Sequence, residues 1–168
     1  MWIVTVLAVL VLFFSFLGGL REGAVKSFFS VLSLIIALPV TSAFFHIIAS
    51  LLSFLPGQDW ENFLGFFVTL AIVTAILHLI FWLPRRLLGK ILDVGCLSNI
   101  IGACINLFSA AIGLTVLSLV LIAFPVWGWL AEAIRNSSVL VWLISHLVFV
   151  QYLLPAIIPA IPKSEAVI

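Results

Sequence analysis

The chain has 168 residues, of which 65% are hydrophobic and 8% charged, with a mean hydropathy of +1.45. Soluble domains run at about 45–50% apolar and about 25% charged, so this chain has too few polar side chains to cover a water-facing surface and reads as an integral membrane protein with lipid as its main solvent. A net charge of +1 gives no basic excess for nucleic acid, and there is no phosphate-binding glycine loop, no GxSxG and no paired CxxC.

A bilayer core of about 30 Å needs roughly 20 apolar residues per helix. Four segments meet that requirement, in a membrane domain over residues 1–124. Span one covers residues 2–19. It lacks the basic start and the small-residue cleavage site of a signal peptide, so it is expected to stay as an uncleaved span. Span two covers residues 23–52 and is overlong, with Pro39 inside it, so a kink or tilt is expected. Span three covers residues 63–83 and span four residues 100–124.

The connections set the orientation. Arg21 and Lys26 flank the first turn, and Glu22 is four residues before Lys26, the favoured order for a helix ion pair. The second connection, "PGQDWEN" at residues 56–62, carries Asp59 and Glu61 and no base. The third, "PRRLLGKILDVGCLS" at residues 84–98, carries Arg85, Arg86 and Lys90. Positive charge marks the cytoplasmic side. The N-terminus is therefore expected outside, with Arg21, Lys26, Arg85, Arg86 and Lys90 inside. Trp2, Trp60 and Trp82 fall at the expected interfaces. Residues 84–98 also have the pattern of a short surface helix whose basic face meets anionic headgroups. The plainer reading is a topology signal alone.

After span four, residues 125–168 form a C-terminal interfacial segment with a proline-broken tail. Trp127 and Trp129 return to an interface. The run "VLVWLISHLVFVQYLL" is only 16 residues long and "PAIIPAIP" follows it. It is read as a surface-lying or partly inserted helix in preference to a fifth span.

Two stretches match. Residues 23–30 read "GAVKSFFS" and residues 102–109 read "GACINLFS". Each opens an even-numbered span from the same side. The fold class is therefore all-α, with four transmembrane helices as two helical hairpins. The match is what a parallel repeat about an axis along the membrane normal would leave. Gly23, Ser27 and Ser30 share one helix face, as do Gly102, Asn106, Ser109 and Gly113. Thr5, Ala8, Ser15 and Gly19 line span one. Helices in lipid associate through small residues and cross-helix hydrogen bonds, so these stripes are expected to form the centre of the bundle.

The candidates for chemistry are sparse. Cys96 and Cys104 are eight residues apart, roughly 12 Å along a helix and too far for a disulfide. His78 is an intramembrane ionisable residue near the cytoplasmic end of span three. It is weighed against a plain imidazole hydrogen-bonding across the bundle. His46 and His146 carry no assigned role. No span has an Asp or Glu in its middle, no metal-ligand spacing is present, and no enzyme activity, metal or cofactor is expected.

The stretches at the matched sites also carry a family resemblance. "GLREGAVKSFFSVLSLIIAL" resembles the first signature of the colicin V production protein family, and "LSNIIGACINLFSAAIGLTVLSLVLIAF" resembles its second. "NSSVLVWL" at residues 136–143 is similar to a short segment that follows the last span. The chain departs from the family pattern at Glu22, Ala24, Ser27, Ser98, Asn106 and Ser109, so it resembles a divergent member. The resemblance implies a four-span protein of the bacterial inner membrane, linked to toxin production or export and to envelope function.

Two functions follow. One is a transport or channel component, as a homo-oligomer since four short spans enclose little space. The other is a non-transporting scaffold or assembly factor.

Overall fold

A computed structural model describes residues 2–51, 57–92, 96–124 and 128–154, apart from the side chains of residues 2, 58, 83, 85–92 and 96. Seven helices are present among these residues: α1 (Trp2–Glu22), α2 (Ala24–Leu51), α3 (Gln58–Leu92), α4 (Cys96–Ala123), α5 (Gly128–Arg135), α6 (Ser138–His146) and α7 (Val148–Tyr152). No strand occurs among them. The first four are long and apolar enough to cross a bilayer, over Ile3–Glu22, Ala24–Leu51, Asp59–Trp82 and Leu97–Ala123. The protein is a multi-pass, all-α membrane protein whose apolar surface contacts lipid.

The helices pack in the order α1–α4–α2–α3. The extensive contacts are α1 with α4, α4 with α2 and α2 with α3. Neighbours in the chain, α1 with α2 and α3 with α4, touch little. The expected hairpins are connected pairs and not packed pairs. The consecutive helices α2 and α3 pack on each other most extensively, whereas α1 finds its main partner in α4, whose small-residue face permits close approach. Gly19 meets Gly102 and Ser15 meets Asn106, so α1 and α4 run antiparallel. Phe45 lies against Phe66 and Phe29 against Phe81, so α2 and α3 run antiparallel as well. Ala24 bonds to Ser98 at one end and Phe45 nears Phe124 at the other, so α2 and α4 run parallel.

Burial separates the two central helices from the two flanking ones. In the most apolar window of each span, 39% of α2 and of α4 is buried, against 11% of α1 and 17% of α3. The expectation that all three small-residue stripes form the centre is corrected in one respect. In the α1 stripe Ala8 and Gly19 are buried and Thr5 and Ser15 half-buried, but α1 itself is peripheral, with Ile3, Leu7, Phe13 and Phe14 exposed on its other sides. The order α1–α4–α2–α3 is one that an axis between α2 and α4 would generate. The tight glycine crossings do not follow such an axis. Gly19 meets α4 near the Gly23 end, whereas Gly65 meets Ala49 of α2 near the Gly57 end.

Among the described residues, two prolines sit inside helices. Pro39 lies within α2. Pro84 lies within α3, which continues to Leu92 where a separate surface helix over residues 84–98 was expected. Proline frees the carbonyl four residues earlier. For Pro84 that is Ile80, which is exposed close to the end of the apolar span, where water can serve the carbonyl. The side chains of Arg85, Arg86, Lys90 and Cys96, and residues 155–168 of the tail, lie outside the described residues, as do the Trp2 side chain and Trp127.

The C-terminal helices fold back onto the bundle. The Thr5 and Ser137 hydroxyls are 2.9 Å apart, which ties the start of α6 to α1. Ala8, Leu121, Ile134, Leu140 and Leu143 form one apolar cluster there. Farther along, Val150 and Leu154 join the main core of Leu38, Phe45, Phe66, Ile112 and Val120. Phe149 of α7 stacks on Phe108 of α4, with ring centroids 6.2 Å apart. Phe108 is 11 residues from Leu97 and 15 from Ala123, or roughly 17 and 22 Å from the span ends. The segment α6–α7 therefore packs alongside the middle of α4.

Candidate functional site

The strongest concentration of sequence-predicted residues is where α1 ends, α2 begins and α4 passes. Gly23 has φ +76°, a left-handed conformation open to glycine and strained for other residues. It turns the chain directly from α1 into α2. Two further glycines bring backbones together at this turn. A Cβ on Gly19 would lie 2.6 Å from Ala103 Cα and 2.7 Å from the Gly102 oxygen. A Cβ on Gly102 would lie 2.6 Å from the Gly23 carbonyl carbon. No side chain larger than hydrogen fits at either position without moving a helix.

Polar groups lock this crossing. Asn106 donates through Nδ2 to the Ser15 carbonyl at 2.8 Å, and the Ser15 hydroxyl donates to the Asn106 carbonyl at 3.1 Å. The Ala24 amide, one of the unpaired donors at the start of α2, donates to Ser98 Oγ at 3.1 Å. Helix α4 thus caps α2 from outside. Lys26 Nζ lies 3.1 Å from Glu22 Oε1, as the spacing foretold. The pair bridges the turn, with Glu22 the last residue of α1 and Lys26 in the first turn of α2.

The remaining predicted residues divide. Ser27 is fully buried next to the crossing. Ser30 and Ser109 are half-buried, and a Cβ on Gly113 would meet nothing within 4 Å, so Gly113 makes no close approach. His78 is exposed on α3, away from the central pair. His46 is exposed too, its ring centroid 3.9 Å from that of Phe45. His146 is exposed beside the break between α6 and α7. Arg21 is exposed at the turn.

Sequence reasoning missed two contributors. Ser98 sits before the matched stretch and showed no periodicity of its own. The Gly65 contact with Ala49, at 2.8 Å from a would-be Cβ, pins α3 to α2. Its only signal was a lone glycine opening an apolar run.

Buried hydroxyls also gather on the central pair. Ser27, Ser33, Thr41 and Ser42 of α2 and Ser98, Thr115 and Ser118 of α4 are buried. Some serve their own helix: Ser33 donates to Phe29 O at 2.7 Å and Thr115 to Ala111 O at 2.8 Å. Ser27 Oγ and Thr41 Oγ1 are buried without a hydrogen-bond partner among the described residues. They are 14 residues apart, and four turns of helix place them on one face of α2.

No curated protein and no solved structure matches the chain. The family model described as colicin V production protein matches residues 4–148, a range that runs from the first turn of α1 to the first residue of α7 and holds every contact of the glycine crossing. The chain belongs to the colicin V production protein family.

Proposed function

We propose that this protein is a transport or channel component of the bacterial inner membrane, serving toxin production or export and envelope function without catalysing a reaction. The observation that carries the reading is the pair of buried, unpartnered hydroxyls, Ser27 and Thr41, on one face of the central helix α2. A buried hydroxyl without a partner forfeits about 1–3 kcal/mol. A polar solute or water passing the α2–α4 seam would supply the missing bonds. The N-terminus lies outside in this reading. Arg21 and Lys26 then face the cytoplasm, where anionic headgroups are available.

A second reading is favoured by a different observation. Ser33, Thr69 and Thr115 all donate to the carbonyl four residues back. Hydroxyls used in this way are satisfied within their own helix and line nothing, as a non-transporting scaffold requires.

The test is flux from liposomes holding the purified protein, read with entrapped potassium and with a small entrapped dye. The transport reading expects flux above empty vesicles and a clear change in Ser27→Ala and Thr41→Val. Flux equal to empty vesicles for both probes sinks it and leaves the scaffold.

A further inference from the structure

We propose that α6–α7 is a movable strap that closes the α2–α4 seam over Thr41 and is held shut by the Thr5–Ser137 hydroxyl pair. Leu38, Thr41 and Phe45 follow one another at helical spacing on one face of α2, and all three are fully buried. Leu38 and Phe45 belong to the apolar cluster that also holds Val150 and Leu154. Thr41 Oγ1, between them on α2, is buried without a hydrogen-bond partner among the described residues. The strap is therefore part of what seals the unpartnered hydroxyl.

The strap rests on two separate supports. Leu140 and Leu143 of α6 pack in the cluster that holds Ala8 of α1, whereas Val150 and Leu154 pack with the central helices. Leu147 leaves helical geometry between α6 and α7, at φ −97° and ψ 44°, and packs against both clusters. These contacts are apolar. A helix lifted from its neighbours inside a bilayer exchanges apolar protein contacts for apolar lipid contacts, so no hydrophobic force holds it down. Side-chain packing and polar ties do that work, and the Thr5–Ser137 pair is such a tie.

The tie has a built-in alternative. Ser137 stands at the N-cap of α6 in extended backbone, φ −91° and ψ 108°, yet its side chain makes no capping bond. A serine in that place ordinarily accepts from an amide two or three residues on. Its hydroxyl instead lies 2.9 Å from Thr5 Oγ1. When the strap lifts, the same hydroxyl can turn to its own helix, so Ser137 has a partner in either position. Two discrete arrangements of this kind are what a switching element needs. As a gate, the strap rests on the transport reading, but its movement does not. Alkylation reports opening and vesicle flux reports transport, so the two can fail separately.

The experiment uses the full chain in lipid vesicles with Cys96 and Cys104 replaced by serine. Thr41→Cys is reacted with N-ethylmaleimide with and without Thr5→Val, which removes the tie and leaves the Ser137 hydroxyl free to cap α6. Alkylation is expected to be several-fold faster with Thr5→Val. Ser27→Cys, equally buried on the same face of α2 but about four turns away, is expected to react at an unchanged rate. An unchanged rate at Thr41→Cys overturns the proposal. Equal acceleration at both positions overturns it too, because that is loosening of the whole bundle. If Thr41→Cys does not accumulate, Val150→Cys, on the strap side of the same cluster, is read by the same outcomes.

Discussion

Asn106 and Ser15 exchange hydrogen bonds in both directions: the Asn106 side chain donates to the Ser15 carbonyl at 2.8 Å and the Ser15 hydroxyl donates to the Asn106 carbonyl at 3.1 Å. The exchange fixes both the register and the rotation of α1 on α4. Asn106→Leu removes one bond, and Ser15→Ala removes the other. Each bond between transmembrane helices is worth on the order of 1 kcal/mol. Each variant is expected to lower the unfolding free energy in mixed micelles by about that much. The double variant should lose less than the sum, because the two residues share one contact.

Gly102 and Gly113 lie on the same face of α4 but are expected to respond oppositely. Gly102→Ala places a methyl group 2.6 Å from the Gly23 backbone. Backbone cannot swing aside as a side chain does, so the helices must separate, at a cost of about 1–3 kcal/mol. Gly113→Ala meets nothing within 4 Å and should be neutral or stabilising by about 0.5–1 kcal/mol, since glycine weakens a helix interior. Steady-state protein level and thermal unfolding check both. Equal losses at the two positions would contradict the crossing.

Gly23→Ala is expected to destabilise for a separate reason. At φ +76° an L side chain costs roughly 1–2 kcal/mol, whatever the space around it. Gly23→Asn should recover part of the loss, because asparagine tolerates that region better. A thermal scan of the two variants shows whether Asn exceeds Ala. Removing the neighbouring ion pair is a mild change by comparison. Glu22→Gln should shift stability by no more than about 0.5 kcal/mol, because Glu22 and Lys26 are both well exposed.

Ser98→Ala leaves the Ala24 amide without its acceptor and should destabilise by about 1 kcal/mol. Ser98→Asp should retain the bond, since a carboxylate also accepts from an amide at a helix start. Amide exchange at Ala24 is the direct readout: fast in Ser98→Ala, slow in Ser98→Asp.

The spans were legible in the sequence because length and apolarity alone decide which segments cross a bilayer. The Gly19–Gly23–Gly102–Asn106 crossing was legible too, because small residues at helical spacing mark close approach. Which helix each stripe meets was not. A stripe on α1 says that α1 packs closely, and nothing in it distinguishes α4 from α2. Gly113 shows the limit from the other side: it keeps the spacing of the stripe, yet a Cβ there would meet nothing within 4 Å. Gly65 had no stripe to announce it, and its partner Ala49 is 16 residues away across a connection. The course of α6–α7 depended on Phe149 finding Phe108, a long-range contact that local hydropathy does not encode.

The order α1–α4–α2–α3 decides which side chains meet, and one crosslink tests it. Ser15→Cys and Asn106→Cys are introduced together into a chain without Cys96 and Cys104, with a protease site inserted at Gly57. After treatment with a short thiol crosslinker and cleavage, the two halves should remain joined on a denaturing gel. Halves that separate in this variant, yet stay joined when Ser15→Cys is paired with Leu79→Cys of α3, would contradict the arrangement.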